Sequence, residues 1–121
     1  MTRPGAFSDL TKELAAARNA GRCERCNRRQ ASEFHHRRPR RMGGAGRKDE
    51  RHTSGAANCL CLCLHCHDTA ERRQRRKAIE DGVILGRTQI PGVTPVIAYM
   101  GGRYGAWFLH DDGQYFPATL F

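Results

Sequence analysis

Residues 59–67 have the sequence Cys-Leu-Cys-Leu-Cys-Leu-His-Cys-His. Over residues 59–64 cysteine and leucine alternate with a period of two, which predicts a β-strand with its three leucines on one face. Residues 67–80 have the i,i+4 charge spacing of a helix, and Gly82 is expected to end it. The centre of the predicted fold is therefore a strand that leads through a cysteine-rich junction into a helix.

The cysteines of this junction have a counterpart earlier in the chain. Cys63 and Cys66 form one Cys-x-x-Cys pair, and Cys23 and Cys26 form another. Each pair offers two thiolates to one side of a tetrahedral ion, so the four sulfurs predict a structural zinc site. Disulfides are the disfavoured alternative, because the N-terminal residues contain no apolar signal-peptide core.

Two further cysteines, Cys59 and Cys61, lie outside this set. We expect them to be small buried residues on the strand, and a share in the metal site is the alternative. His65 lies inside the second pair and could replace a sulfur, but a complete set of four cysteines makes that unnecessary.

The composition indicates an anionic partner. The 121 residues include 21 Lys or Arg and 12 Asp or Glu, for a formal net charge of +9. The basic surplus lies in the first two-thirds of the chain, together with the cysteines and most histidines. The length predicts one domain, and no apolar run approaches the roughly 20 residues of a membrane span. We therefore expect a soluble, cytoplasmic protein.

The last forty residues differ from the rest, since they are slightly acidic and rich in aromatic side chains. Short apolar runs at 83–85, 96–100 and 107–109 and an Asp-Asp-Gly turn at 111–113 predict short strands and a hairpin. We predict an α+β fold. Residues 1–82 form its main domain, which begins with a helix near Ser8, and residues 83–121 form a C-terminal antiparallel β extension packed on it. The aromatic side chains are expected in the core, with a docking surface as the alternative.

The histidines complete an ordered set. His35 and His36 lie between the two cysteine pairs, Asn58 follows, and His67 comes directly after the second pair. Neighbouring residues of a strand point to opposite faces, so one histidine can bind a metal while the other contacts a water. This order, with a proline and a Gly-Gly after the paired histidine, resembles the His-Asn-His (HNH) endonucleases, and most closely the small zinc-stapled type of actinobacterial phages. The resemblance covers residues 10–80 closely and the tail loosely.

The resemblance implies a ββα-metal (His-Me finger) core, in which two strands and a helix hold one catalytic divalent ion. It implies His36, Asn58 and His67 as catalytic residues, with His36 as the general base and with His35 and His67 as metal ligands. The family asparagine orients the loop and base in some members and reaches the metal in others, so both roles stay open for Asn58. The implied ion is Mg or Mn, with Zn or Ni as alternatives, and the implied products carry 5′-phosphate and 3′-hydroxyl ends.

A third protein ligand often lies one helical turn after the second histidine of this family, where this chain has Glu71. If the helix has already begun at His67, the two side chains share one helix face. Alternatively, Asp68 is the N-cap and Glu71 closes a capping box. The sequence favours neither.

Arginines flank these positions on both sides. We expect them to bind DNA phosphates, with a solvated face as the alternative. The predicted nucleic-acid-binding residues are Arg37, Arg38, Arg40, Arg41, Arg72 and Arg76. No aromatic side chain is interleaved with them, so we expect no stacking of single-stranded bases, weak sequence preference and strong salt dependence.

The predicted function is that of a metal-dependent HNH endonuclease that nicks or cuts double-stranded DNA. The likeness suggests phage genome processing or packaging, with terminase proteins as partners, in the host cytoplasm if a phage encodes the chain. We expect no membrane partner and a monomer or weak dimer. The alternatives are a non-catalytic zinc-stapled DNA-binding module and a structural adaptor that acts through the aromatic tail.

Overall fold

The computed structural model describes residues 6–39 and 52–118. The helices are α1 (Asp9–Ala17), α2 (Leu64–Glu71) and α3 (Arg75–Glu80). The strands are β1 (Glu33–His36), β2 (Cys59–Leu62), β3 (Val96–Met100), β4 (Arg103–Leu109) and β5 (Tyr115–Pro117). Short 3₁₀ turns at Ala56–Asn58 and Pro91–Val93 precede β2 and β3. In the described part of the chain, no helix is long and apolar enough to cross a membrane.

The strands form two antiparallel sheets, which confirms the α+β class. One sheet pairs β1 with β2, so that His35 lies opposite Leu60 and His36 lies opposite Cys59. The other has the order β3-β4-β5. Helix α2 follows β2 after one residue and packs against both strands of the first sheet.

Strand β2 is buried on both faces. Leu60 and Leu62 belong to the larger cluster of buried apolar side chains, whereas Cys59 and Cys61 pack on the opposite face with residues that include Phe7. Cys59 and Cys61 are therefore small buried residues, as expected. The prediction that a third leucine continues this face is wrong, because the strand ends at Leu62 and the next leucine begins α2, where it is 66% exposed.

The helix predicted over residues 67–80 is two helices. Helix α2 begins three residues earlier than expected and ends at Glu71, and α3 begins at Arg75. At the break, the backbone N–H of Gln74 donates to the carbonyl of Thr69. The C-cap residue Arg72 has φ −121° and ψ −95°, outside the helical region, so the helix does not continue through it.

The C-terminal segment forms the second sheet, and the predicted hairpin is confirmed. His110 N–H donates to the carbonyl of Gln114 at 2.9 Å across the turn, and Gly113 has a φ of +89°. Trp107 is buried, and its indole N–H donates to the carbonyl of Ala98 at 3.1 Å. Buried side chains from both sides of residue 82 form one cluster, and the domain boundary there stays a prediction.

Candidate functional site

The four cysteines of the two Cys-x-x-Cys pairs meet in one cluster. The sulfur atoms of Cys23, Cys26, Cys63 and Cys66 all lie within 4.8 Å of one another, and only Cys26 is more than slightly exposed. Four cysteine sulfurs at this spacing match the donor set of a closed structural zinc site. The cluster can therefore hold a structural metal such as zinc.

Backbone N–H groups contact three of the four sulfurs of this cluster. The N–H groups of Arg25, Arg28 and Cys66 each approach a cluster sulfur at 3.4 Å. Burial raises the pKa of Cys26, but backbone N–H groups outweigh this effect and lower it to about 7. Burial raises the pKa of Cys23. A cation bound here would favour the thiolate form, because thiolates rather than thiols are the metal ligands.

A buried ion pair between Arg18 and Glu24 links the first Cys-x-x-Cys pair to the strand that leads to the second. Glu24, between the first two cysteines, accepts from Arg18 at 2.9 and 3.0 Å and from the backbone N–H of Cys61 at 2.8 Å. Arg18 also donates to the carbonyl of Ala56 at 2.8 Å. The ion pair thereby fastens the first cysteine pair to α1, to the turn before β2 and to β2 itself.

A second group of metal-ligating side chains lies on the other side of α2. One ligand atom each from His35, His67 and Glu71 lies within 4.8 Å of the other two. His35 comes from β1, and the other two residues lie one helical turn apart on α2, with 3.7 Å between His67 Nε2 and Glu71 Oε1. These three residues, together with His36 and Arg75, border a cavity of about 210 Å³. We call the three residues the His-His-Glu cluster.

The two histidines of the His-His-Glu cluster are held in defined orientations. Nε2 of His35 is 2.9 Å from the carbonyl of Val83, so it carries the proton and Nδ1 keeps a free lone pair. Burial lowers the pKa of His35 to about 4, which keeps the ring neutral at pH 7. Nδ1 of His67 lies 3.4 Å from Glu33 Oε1, which directs Nε2 towards Glu71. A carboxylate behind a metal-binding histidine is a common way of fixing the ring and its tautomer.

Sequence reasoning missed Glu33. The sequence did contain an indication that Glu33 lies on the same strand face as His35. Glu33 lies two residues before His35 on β1, and residues at that spacing share one face of a strand. Its approach to His67, however, depends on how α2 packs against β1.

The structure rules out one of the two roles left open for Glu71. The N-cap of α2 is Cys63, so Asp68 lies inside the helix and the capping-box alternative is wrong. The carboxylate of Asp68 instead accepts from Arg72 Nε at 2.8 Å. Glu71 therefore shares a helix face with His67.

His36 borders the cavity of the His-His-Glu cluster, whereas Asn58 contacts the backbone that follows His36. The ring of His36 stacks on Phe7, with centroids 3.9 Å apart and planes 13° from parallel. The amide of buried Asn58 accepts from the backbone N–H of Arg38 at 2.6 Å and donates to the carbonyls of Arg38 and Thr53 at 3.0 Å. These contacts hold the segment that directly follows His36.

The prediction that Arg37 contacts nucleic acid is wrong. Its side chain is fully buried, and its five N–H donors bond to five backbone carbonyls at 2.8 to 3.4 Å. Those carbonyls belong to Ala57, Gly82, Pro91, Thr94 and Pro95. Arg37 thus joins β1 to the segments that precede β2 and β3, and it cannot reach a phosphate.

The remaining arginines take different places. Arg40 and Arg41 lie outside the described residues. Arg72 is exposed and forms the ion pair with Asp68, and Arg76 borders a different cavity from the His-His-Glu cluster. Among the described residues, the arginine that borders the cavity of that cluster is Arg75, one of the arginines after His67 that were expected to bind DNA phosphates.

The described residues include two further histidines, His52 and His110. His52 and His110 border a separate cavity of about 390 Å³, and His110 is exposed. Among the described residues, neither belongs to a group of metal-ligating side chains.

No family model, curated protein or solved structure matches this chain. The geometry defines a small α+β protein with a four-cysteine cluster suited to a structural metal.

Proposed function

We propose that this chain is a metal-dependent endonuclease of the HNH type that hydrolyses phosphodiester bonds of DNA. The observation that carries the proposal is the convergence of His35, His67 and Glu71 in a cavity that His36 also borders. The elements that carry these residues are β1 and α2, and β2 lies between them along the chain, which gives the order strand, strand and helix of a ββα-metal core.

The donor set of the His-His-Glu cluster suits a divalent ion. Two imidazoles and one carboxylate are typical ligands for Zn, Ni or Mn, whereas Mg prefers oxygen ligands alone. An ion held there would supply Lewis-acid stabilisation of the phosphate and of the leaving oxygen. The three ligands leave coordination positions for substrate and water, as catalytic sites require.

The side chains around the cluster have distinct tasks in this proposal. His36, stacked on Phe7, takes the proton from the attacking water through its imidazole lone pair. Arg75 borders the same cavity, where its guanidinium can neutralise a phosphate next to the cleaved bond. Asn58 holds the backbone after His36 and so positions the base.

A zinc-stapled DNA-binding module without activity is the competing function. Such a module needs the four cysteines, but it has no use for a second set of metal ligands beside a partly exposed histidine. The His-His-Glu cluster therefore favours the enzyme.

A plasmid assay tests the proposal. Purified protein is incubated with supercoiled plasmid and Mg, Mn, Ni or Zn ions, with and without excess chelator. We expect nicked or linear products that need the added ion, and a loss of about 10²- to 10⁴-fold in rate for His36→Ala.

The matched control is His65→Ala, because His65 is exposed, lies outside both clusters and should cut like wild type. The proposal fails if wild type leaves the plasmid intact with every ion, or if His36→Ala cuts at the wild-type rate. Tight DNA binding without cleavage would support the competing module.

A further inference from the structure

A second cavity, with a basic lining, is bordered by α3 and the turn before it. Its volume is about 540 Å³, within the roughly 300–1,000 Å³ range of ligand pockets. Its basic side chains are Arg73, Arg76 and Lys77 from α3 and the turn before it, and Arg25 from the first cysteine pair. Tyr104 of β4 also borders it, together with Gln74, Glu80 and Asp81. We call this cavity the Tyr104 groove.

Two of the described arginines that border the Tyr104 groove take no part in its ion pairs. Asp81 is 6% exposed, and its carboxylate accepts from Arg25 at 2.8 Å and from Lys77 at 3.1 Å. Within the described part of the chain, Arg73 and Arg76 form no ion pair, and both are exposed. Two free guanidinium groups on one groove are suited to bind successive phosphates of a strand.

Tyr104 adds a flat apolar surface to this charge. It is 62% exposed, and its ring contacts Tyr99 at a centroid distance of 5.0 Å and an angle of 55°. An exposed aromatic ring beside arginines is the arrangement on which unpaired bases stack. In a duplex the bases are already stacked on each other, so a ring at the protein surface gains this contact only from an unpaired strand.

We infer that the Tyr104 groove binds an unpaired DNA strand, with its phosphates on Arg73 and Arg76 and a base on Tyr104. The inference deepens the proposed function and rests on it for the choice of DNA among polyanions. Arg75 borders the His-His-Glu cavity, and Arg76, the next residue, borders the groove. A strand that leaves the cleavage site across α3 would therefore enter the groove. This revises the expectation that no aromatic platform accompanies the arginines.

Binding is measured by fluorescence anisotropy with a labelled single-stranded oligonucleotide of about 20 nucleotides, roughly two helical turns of the matching duplex. All variants are made in the His36→Ala background without added divalent ion, so that no cleavage interferes. Arg73→Ala with Arg76→Ala should reduce the slope of log K against log salt by about 1.4, because each phosphate contact on a single strand contributes about 0.7. The control Arg28→Ala with Arg29→Ala removes the same charge from exposed positions outside the groove and should leave the slope nearly unchanged.

Three further variants separate stacking from charge. Tyr104→Ala should weaken single-strand binding about 5-fold or more, whereas Tyr104→Phe keeps the ring and should bind like the parent. Glu80→Gln removes a carboxylate from the groove and should tighten binding. Binding of the matching duplex should be insensitive to Tyr104→Ala.

The inference is overturned if Tyr104→Ala binds the single strand like Tyr104→Phe, or if it weakens duplex and single-strand binding equally. It is also overturned if the Arg28 and Arg29 control lowers the salt slope as much as the groove variant. The plasmid assay is independent of these outcomes. A chain that binds the strand through Tyr104 but cuts no plasmid would retain the groove and refute the endonuclease.

Discussion

The four-cysteine cluster and the His-His-Glu cluster share helix α2 but differ in donors and exposure. The first joins four sulfurs, three of them buried, whereas the second joins two imidazoles and a carboxylate at the edge of a cavity, with only His35 buried. Closed four-ligand sites are typical of structural metals, and sites with open positions are typical of catalysis. One end of α2 therefore carries the closed cluster, and in the proposed function the next turn carries the ligands of the catalytic ion.

The largest effect is expected from removing one sulfur of the four-cysteine cluster. Cys23→Ser should abolish stoichiometric zinc and unfold the chain, because structural zinc contributes on the order of 10 kcal/mol of apparent folding free energy. Zinc per chain, measured by elemental analysis, and circular dichroism check this. Cys61→Ala is the control, since Cys61 is buried outside the cluster and zinc should remain near one per chain. A stable, zinc-free Cys23→Ser protein would contradict the structural role.

The next largest effect is a loss of stability that distinguishes the buried Arg37 from the exposed Arg75. Arg37→Lys should lower the free energy of unfolding by about 2–6 kcal/mol, since an ammonium has three donors and leaves at least two buried carbonyls unpaired. Arg75→Lys, at the open cavity, should change stability by less than about 0.5 kcal/mol. Urea denaturation measures both. Equal stability of the two variants would mean that the carbonyl contacts of Arg37 contribute nothing.

A smaller effect tests whether the His-His-Glu cluster binds an ion. Mn or Ni at about 100 times its dissociation constant should stabilise the zinc-loaded protein by about 2.7 kcal/mol and raise its melting temperature. His67→Ala should lose this shift and keep its zinc, whereas His65→Ala should show the wild-type shift. An undiminished shift in His67→Ala would place the added ion elsewhere.

The smallest effect concerns the carboxylate behind His67. Glu33→Gln should weaken binding of the added ion by about 10- to 100-fold, because the amide no longer fixes the imidazole as a charged carboxylate does. Calorimetric titration with Mn or Ni measures the affinity. Glu13→Gln removes an exposed carboxylate from α1 and should have no effect. If both variants bind equally well, Glu33 does not orient the ligand.

Patterns within single elements were predictable from the sequence. The alternation in β2, the hairpin after β4 and the two Cys-x-x-Cys pairs follow from short-range spacing, and the structure contains all three. The helix over residues 67–80 was predicted as continuous because charge spacing alone does not reveal the break after Glu71.

Contacts between distant segments were not predictable in the same way. Arg37 belongs to an arginine-rich stretch that is typical of a solvated or phosphate-binding surface, yet five carbonyls from segments up to 58 positions away enclose it. Tyr104 was assigned only to an aromatic tail, and the packing of β4 places it beside arginines of the main domain.

The sequence by itself determined which side chains can serve as ligands, because donor chemistry and the spacing within a turn are local properties. It also determined the class of fold, since strand and helix periods are local. Only the tertiary structure decided which charges are buried, which carboxylate contacts His67 and which aromatic ring lies beside the arginines. Those outcomes depend on contacts between segments that are distant in the sequence, such as β1 with α2, and burial and proximity arise from that packing.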